Sequence, residues 1–148
     1  MTRRKVMVVD DTPSIVKVLR FLLEKEGYEV HEANDGVAAL RTARAVRPDL
    51  ILLDVMMPRV DGFEVLRDLR SDPDFQETLV VVLSAKGQER DRERALALRA
   101  DEFWLKPFSP STSVQRLREL FARREARVAE TGKQAPAHSG AGPKETLR

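Results

Sequence analysis

The chain has 148 residues, 42% of them hydrophobic and 34% charged, and it contains no cysteine. That length fits one domain with a core of ordinary size, and the missing cysteines exclude a disulfide framework, a thiolate metal site and a cysteine nucleophile. With 26 Lys plus Arg against 24 Asp plus Glu, the net charge is only +2, which argues against a dedicated nucleic-acid binder.

The basic start, Met1-Thr2-Arg3-Arg4-Lys5, is like that of a secretory leader. The apolar run behind it, Val6 to Val9, has only four residues and ends on Asp10-Asp11, whereas a leader needs roughly 7–15. No stretch approaches the ~18 apolar residues of a membrane span. A cytoplasmic location without membrane contact is therefore the expectation.

Val6 to Val9 reads instead as a first strand, buried on both faces because it is continuously apolar and β-branched. Thr12 with Pro13 predicts a helix start. Ile15, Val18, Leu19, Leu22 and Leu23 then repeat with helical spacing up to a stop at Gly27. A weaker strand follows at Tyr28 to Glu32, then a helix from about Asp35 to Val46, closed by Pro48. Leu50 to Leu53 is a third strand; Asp61 caps a third helix, with Glu64 placed for a capping box. Leu79 to Leu83 is a fourth strand, about Gln88 to Leu98 a fourth helix and Glu102 to Leu105 a fifth strand. A fifth helix begins near Ser109 and carries Val114, Leu117, Leu120 and Phe121. From Thr131 to Arg148 three Gly, two Pro and a single Leu predict a disordered tail. The expected organisation is a folded domain over 1–124, with 125–148 as the end of the fifth helix and that tail.

Five alternations of strand and helix imply an α/β fold, a doubly wound five-stranded parallel sheet. The order 2-1-3-4-5 places ligands outside the carboxyl ends of the strands, at the switch between strands 1 and 3. Strand 1 runs into Asp10-Asp11, strand 3 into Asp54, strand 4 into Ser84 and strand 5 into Lys106-Pro107. Each of these alone reads as a helix cap, a loop carboxylate or a surface lysine. Their convergence on one rim does not. Three close carboxylates call for a cation, and an all-oxygen donor set suits a hard divalent ion, with Mg²⁺ the natural choice. A metal, a carboxylate nucleophile, a lysine and a hydroxyl make up a phosphoryl-transfer site.

From about Arg4 to Phe121 the chain resembles the receiver (CheY-like) domain of two-component response regulators. The resemblance rests on Val-Val-Asp10-Asp11, Leu-Leu-Asp54-Val-Met-Met-Pro58 followed by Asp61-Gly62, Leu83-Ser84-Ala85, and Lys106-Pro107-Phe108. It implies that Asp54 accepts a phosphoryl group from the phosphohistidine of a sensor histidine kinase. It also implies that Asp10, Asp11, Asp54 and the backbone carbonyl of Met56 hold Mg²⁺. Lys106 would pair with one phosphoryl oxygen and Ser84 with another, and small Ala85 would keep the approach open. A cis peptide before Pro107 and a switch pair of Ser84 and Phe103 belong to the same implication. Phosphorylation adds about −1.5 to −2 charge and would shift a pre-existing equilibrium read out on the face of helix 4, strand 5 and helix 5.

Two positions depart from the family pattern. Arg99 stands where a glycine is usual, so a positive φ there would carry a steric cost. Trp104 is unusual so close to the lysine, and core packing is its expected role. The whole reads as a single-domain response regulator, a switch and not an enzyme. Its partners would be the kinase and either a downstream protein or a histidine phosphotransfer protein; a homodimer through the output face is compatible with this. The alternative is a Mg²⁺-dependent aspartyl-phosphate phosphohydrolase. Met56 counts against it, because dehalogenase-like phosphatases need a second Asp at that position.

Overall fold

The computed structural model describes residues 3–57, 61–107 and 109–134. The elements run β1 (Lys5–Val9), α1 (Pro13–Lys25), β2 (Glu29–Ala33), α2 (Gly36–Val46), β3 (Leu50–Asp54) and α3 (Gly62–Ser71). A 3-10 turn (Pro73–Phe75) precedes β4 (Leu79–Ser84), α4 (Glu89–Ala97), β5 (Glu102–Leu105) and α5 (Pro110–Gln134). The five strands form one parallel sheet in the order β2-β1-β3-β4-β5, as the alternation of elements implies.

The chain divides into two compact units, residues 1–114 and 115–148. The first holds the sheet, α1 to α4 and the start of α5. In its sheet Val6 to Val9, Leu50 to Leu53 and Val80 to Leu83 are without solvent exposure. Alternation sends Met7, Val9, Ile51, Leu53, Val80 and Val82 to one face, where they join Ala39 and Ala43 of α2, Phe63, Leu66 and Leu69 of α3 and Ala95 of α4 in one cluster. The opposite set, Val6, Val8, Leu50, Leu52, Val81 and Leu83, is equally buried, and α1 contributes the buried Val16, Leu19 and Leu23. The second unit is the rest of α5, in which Leu117, Leu120 and Phe121 are buried and the Arg124 guanidinium lies 5.5 Å from the Phe121 ring centroid.

The helix starts follow from local chemistry. Asp35 accepts the Ala38 N–H at 2.8 Å and Asp61 the Glu64 N–H at 3.0 Å, each satisfying an orphan donor of the first turn. Thr12 occupies the N-cap of α1, but its side chain makes no cap hydrogen bond; its main-chain N–H is given instead to Asp10 Oδ1 at 2.9 Å. The second strand starts one residue later than its apolar pattern suggests, because the ladder to β1 pairs Lys5 with Glu29 and Val9 with Ala33. The 3-10 turn carries no periodic signal. Residues 131–134, placed in the tail by composition, continue α5, and 135–148 lie outside the described residues.

Arg99 does adopt a positive φ, 69°. Its guanidinium donates to the Arg70 carbonyl at 2.8 Å and to Gln76 Oε1 at 3.2 Å, which offsets the cost of the left-handed backbone. Trp104 is buried, as a core residue would be, and its Nε1–H donates to Glu102 Oε1 at 2.7 Å.

Candidate functional site

The parallel ladder carries the candidate residues to one rim. Asp54 closes β3 as the register partner of Leu83, and Ser84 closes β4 opposite Leu105. Asp10 and Lys106 each follow immediately on a strand. One carboxylate oxygen from each of Asp10, Asp11 and Asp54 lies within 4.8 Å of the other two. Asp10 and Asp54 are almost fully buried, and Asp11 is exposed. The Lys106 ammonium lies 2.7 Å from Asp10 Oδ2 and 3.6 Å from Asp54 Oδ2. Lys106 is joined to Pro107 by a cis peptide bond.

Two main-chain donors orient the carboxylates. Thr12 N–H binds Asp10 Oδ1, and Met56 N–H binds Asp54 Oδ1 at 3.1 Å. Burial pushes the Asp54 carboxyl above its ordinary value; the Met56 N–H and Lys106 pull it down, while Asp10 and Asp11 add to the rise. Between the ordinary value and the raised one, the folded state holds a proton that the unfolded chain has lost. Stability therefore falls as pH rises through that window and stays lower above it. Without a divalent cation, Asp54→Asn should unfold about 3–6 °C above wild type at pH 7. The gap should close below the ordinary carboxylate range; equal melting points at pH 7 would refute the repulsion argument.

Three convergent carboxylates against one ammonium leave this rim with excess negative charge. All the donors offered are oxygen, a set that fits a hard divalent cation. Met56, expected to offer its carbonyl, also donates its N–H to Asp54. The Ser84 hydroxyl, expected to serve an oxyanion, here donates to the Lys86 carbonyl at 3.0 Å and accepts the Lys86 N–H at 3.1 Å. Phe103 is partly buried against the core cluster, and Ala85 is exposed. Pro58 and Phe108 of the quoted motifs lie outside the described residues. One contact near the site carried no sequence signal: the Arg94 guanidinium stacks 4.2 Å from the Phe63 ring centroid, beside a cleft that Met56, Met57 and Lys86 also line.

A parallel 2-1-3-4-5 sheet with an acid triad and a lysine at its carboxyl rim defines a class, and the family comparison agrees. The response regulator receiver domain model matches residues 6–118, and the chain belongs to that family. Among curated relatives it is 43% identical over 125 residues to the Bacillus subtilis alkaline phosphatase synthesis transcriptional regulatory protein PhoP, covering 82% of this chain and 50% of that one. It is 39% identical over 128 residues to the DNA-binding response regulator MtrA of Mycolicibacterium smegmatis, covering 86% and 55%. The chain thus spans about half the length of these relatives. Among solved structures, the chemotaxis response regulator CheY4 of Vibrio cholerae matches with a TM-score of 0.75 and 34% identity, over 80% of this chain and 98% of that one.

Proposed function

We propose that this receiver domain is a phosphorylation switch in which Asp54 is the phosphoacceptor. The observation that carries the reading is a buried Asp54 carboxylate held among Asp10, Asp11 and Lys106 at the end of a fully paired strand. An Asp54 carboxylate oxygen attacks phosphorus, the P–N bond of a phosphohistidine breaks, and the imidazole leaves with the bonding pair. Asp10, Asp11, Asp54 and the Met56 carbonyl would hold Mg²⁺. Bound there, the ion supplies charge neutralisation on the transferred oxygens. Lys106, 3.6 Å from Asp54, would add its positive charge to the same oxygens, and Met56 N–H fixes the rotamer of the nucleophile.

The phosphodonor in this reading is a sensor histidine kinase, which places the domain in the cytoplasm, where ATP loads such kinases. Among the described residues no helix is long and apolar enough to cross a membrane. The signal passes through α4 and β5 to a partner protein or a histidine phosphotransfer protein; Ser84 and Phe103 form the switch pair. The nearly balanced charge of the chain favours a protein partner over nucleic acid. We read it as a single-domain regulator and a phosphoacceptor without enzymatic turnover.

The test is intact mass spectrometry of protein captured from its own cells, before and after treatment with Mg²⁺ and acetyl phosphate. A base mass near 16.8 kDa carries the single-domain reading, and about twice that overturns it. One phosphoryl increment, absent in Asp54→Ala and in excess EDTA, is the expected outcome. No increment in the wild type overturns the switch, and multiple-turnover phosphate release would make the chain a phosphohydrolase instead.

A further inference from the structure

Ser84 is fully buried, and its hydroxyl is already committed. The hydroxyl has one proton, which goes to the Lys86 carbonyl at 3.0 Å, while its oxygen accepts the Lys86 N–H at 3.1 Å. The stretch from Ala85 to Gln88 between β4 and α4 is therefore closed back on Ser84. Its far side rests on Leu105. A Cβ added at Gly87 would lie 3.1 and 3.2 Å from the two Leu105 methyl groups, so the Gly87 main chain sits directly on that side chain. Leu105 is also the ladder partner of Ser84, and the Lys106 N–H donates to the Ser84 carbonyl at 2.7 Å. Ser84 cannot move along β5, so its hydroxyl can be re-aimed only by rotating about its own bonds and giving up Lys86. Lys86 and Gly87 are consecutive, so the partner of the hydroxyl and the contact with Leu105 belong to one short segment.

From this geometry we infer that Leu105 is a positioning residue that acts through Ser84. By seating Gly87 it holds the β4–α4 loop closed and keeps the hydroxyl proton turned to Lys86 until a phosphoryl group competes for it. This deepens the proposed phosphoacceptor function and rests on it. Leu105 is half-exposed, at 50%, so its truncation removes the seat while opening no internal cavity. The resting arrangement loses apolar contact that the re-aimed arrangement does not need, and the balance moves towards the latter.

The experiment is the rate of phosphoryl adduct formation from acetyl phosphate at saturating Mg²⁺, read by intact mass. Five chains are compared: wild type, Leu105→Ala, Leu105→Met, Ser84→Ala and the Leu105→Ala/Ser84→Ala double variant. Leu105→Ala should form the adduct about fivefold faster than wild type, from the loss of roughly half a leucine's burial. Leu105→Met, which keeps a flexible apolar side chain over Gly87, should restore the wild-type rate. In the Ser84→Ala background the Leu105 effect should vanish, because there is no hydroxyl left to release. An unchanged or slower Leu105→Ala overturns the inference, as does acceleration that persists without the Ser84 hydroxyl. If wild type forms no adduct at all, the phosphoacceptor reading itself fails, and the two failures are thereby told apart.

Discussion

Arg70→Met should lower the unfolding free energy by about 3–5 kcal/mol, the range expected when one partner of a buried charge network is removed. Arg70 is 8% exposed, near the end of α3. Its Nε donates to the Arg99 carbonyl at 3.1 Å, and Nη1 donates to the carbonyls of Phe75 at 2.7 Å and Thr78 at 2.9 Å. Nη2 reaches Asp101 Oδ2 at 3.1 Å, and that same oxygen accepts the Val80 N–H at 2.8 Å. One guanidinium thus ties α3, the 3-10 turn, the entry to β4 and the turn before β5. Burial pushes its pKa below the ordinary arginine value, and Asp101 pulls it back up. Methionine fills much of the same volume but takes the guanidinium donors away from three carbonyls and a carboxylate; Asp101 keeps the Val80 N–H and the Phe75 carbonyl keeps the Thr78 N–H at 3.4 Å. The measurement is urea unfolding at neutral pH, with wild type and variant compared at equal m. A loss below about 1 kcal/mol, the worth of a single ordinary hydrogen bond, would contradict this account. The network lies at the amino ends of β4 and β5, opposite the acidic rim, so cation binding there should survive in the folded variant.

The second large effect concerns Lys106. Its side chain is 13% exposed and its ammonium lies 2.7 Å from Asp10, whose side chain has no exposure. Lys106→Met should destabilise the protein in EDTA by about 2–4 kcal/mol, because two buried carboxylates lose their counter-charge. Added Mg²⁺ should then raise the melting temperature of the variant more than that of wild type, since the ion no longer competes with an ammonium for Asp10. Adduct formation from acetyl phosphate should slow by about 10²-fold, the usual cost of losing one charged stabiliser of a transferring group. The sign of the Mg²⁺ effect is the sharper test. A variant that Mg²⁺ stabilises less than wild type would show that Lys106 supports the cation site and does not compete with it.

The rim was readable in the sequence because a parallel sheet makes strand ends coincide. Once Val6 to Val9, Leu50 to Leu53 and Leu79 to Leu83 are taken as buried strands, Asp10, Asp54 and Ser84 have no other place to go. Arg99 betrayed its left-handed backbone by standing where glycine is usual. Arg70 gave no such sign. It is one arginine in a charged helix, and its partners lie between 5 and 31 residues away along the chain. The start of β2 at Glu29 was missed because Tyr28 is buried like a strand residue, whereas the pairing to Lys5 sets the register. The commitment of Ser84 to Lys86 was out of reach for a different reason. Residue type gives the number of protons a hydroxyl can donate, and only the turn decides where they go.

Asp54 is a strand residue, and the next amide, Val55 N–H, donates to the Leu83 carbonyl at 3.1 Å. The anchoring backbone therefore opens to hydrogen exchange only when the centre of the sheet opens, and it belongs to the slowest-exchanging part of the domain. A charge added to a side chain on such a backbone cannot be absorbed by local fraying. In the phosphoacceptor reading, the response to that charge would fall to the neighbouring strand ends and the loops that follow them.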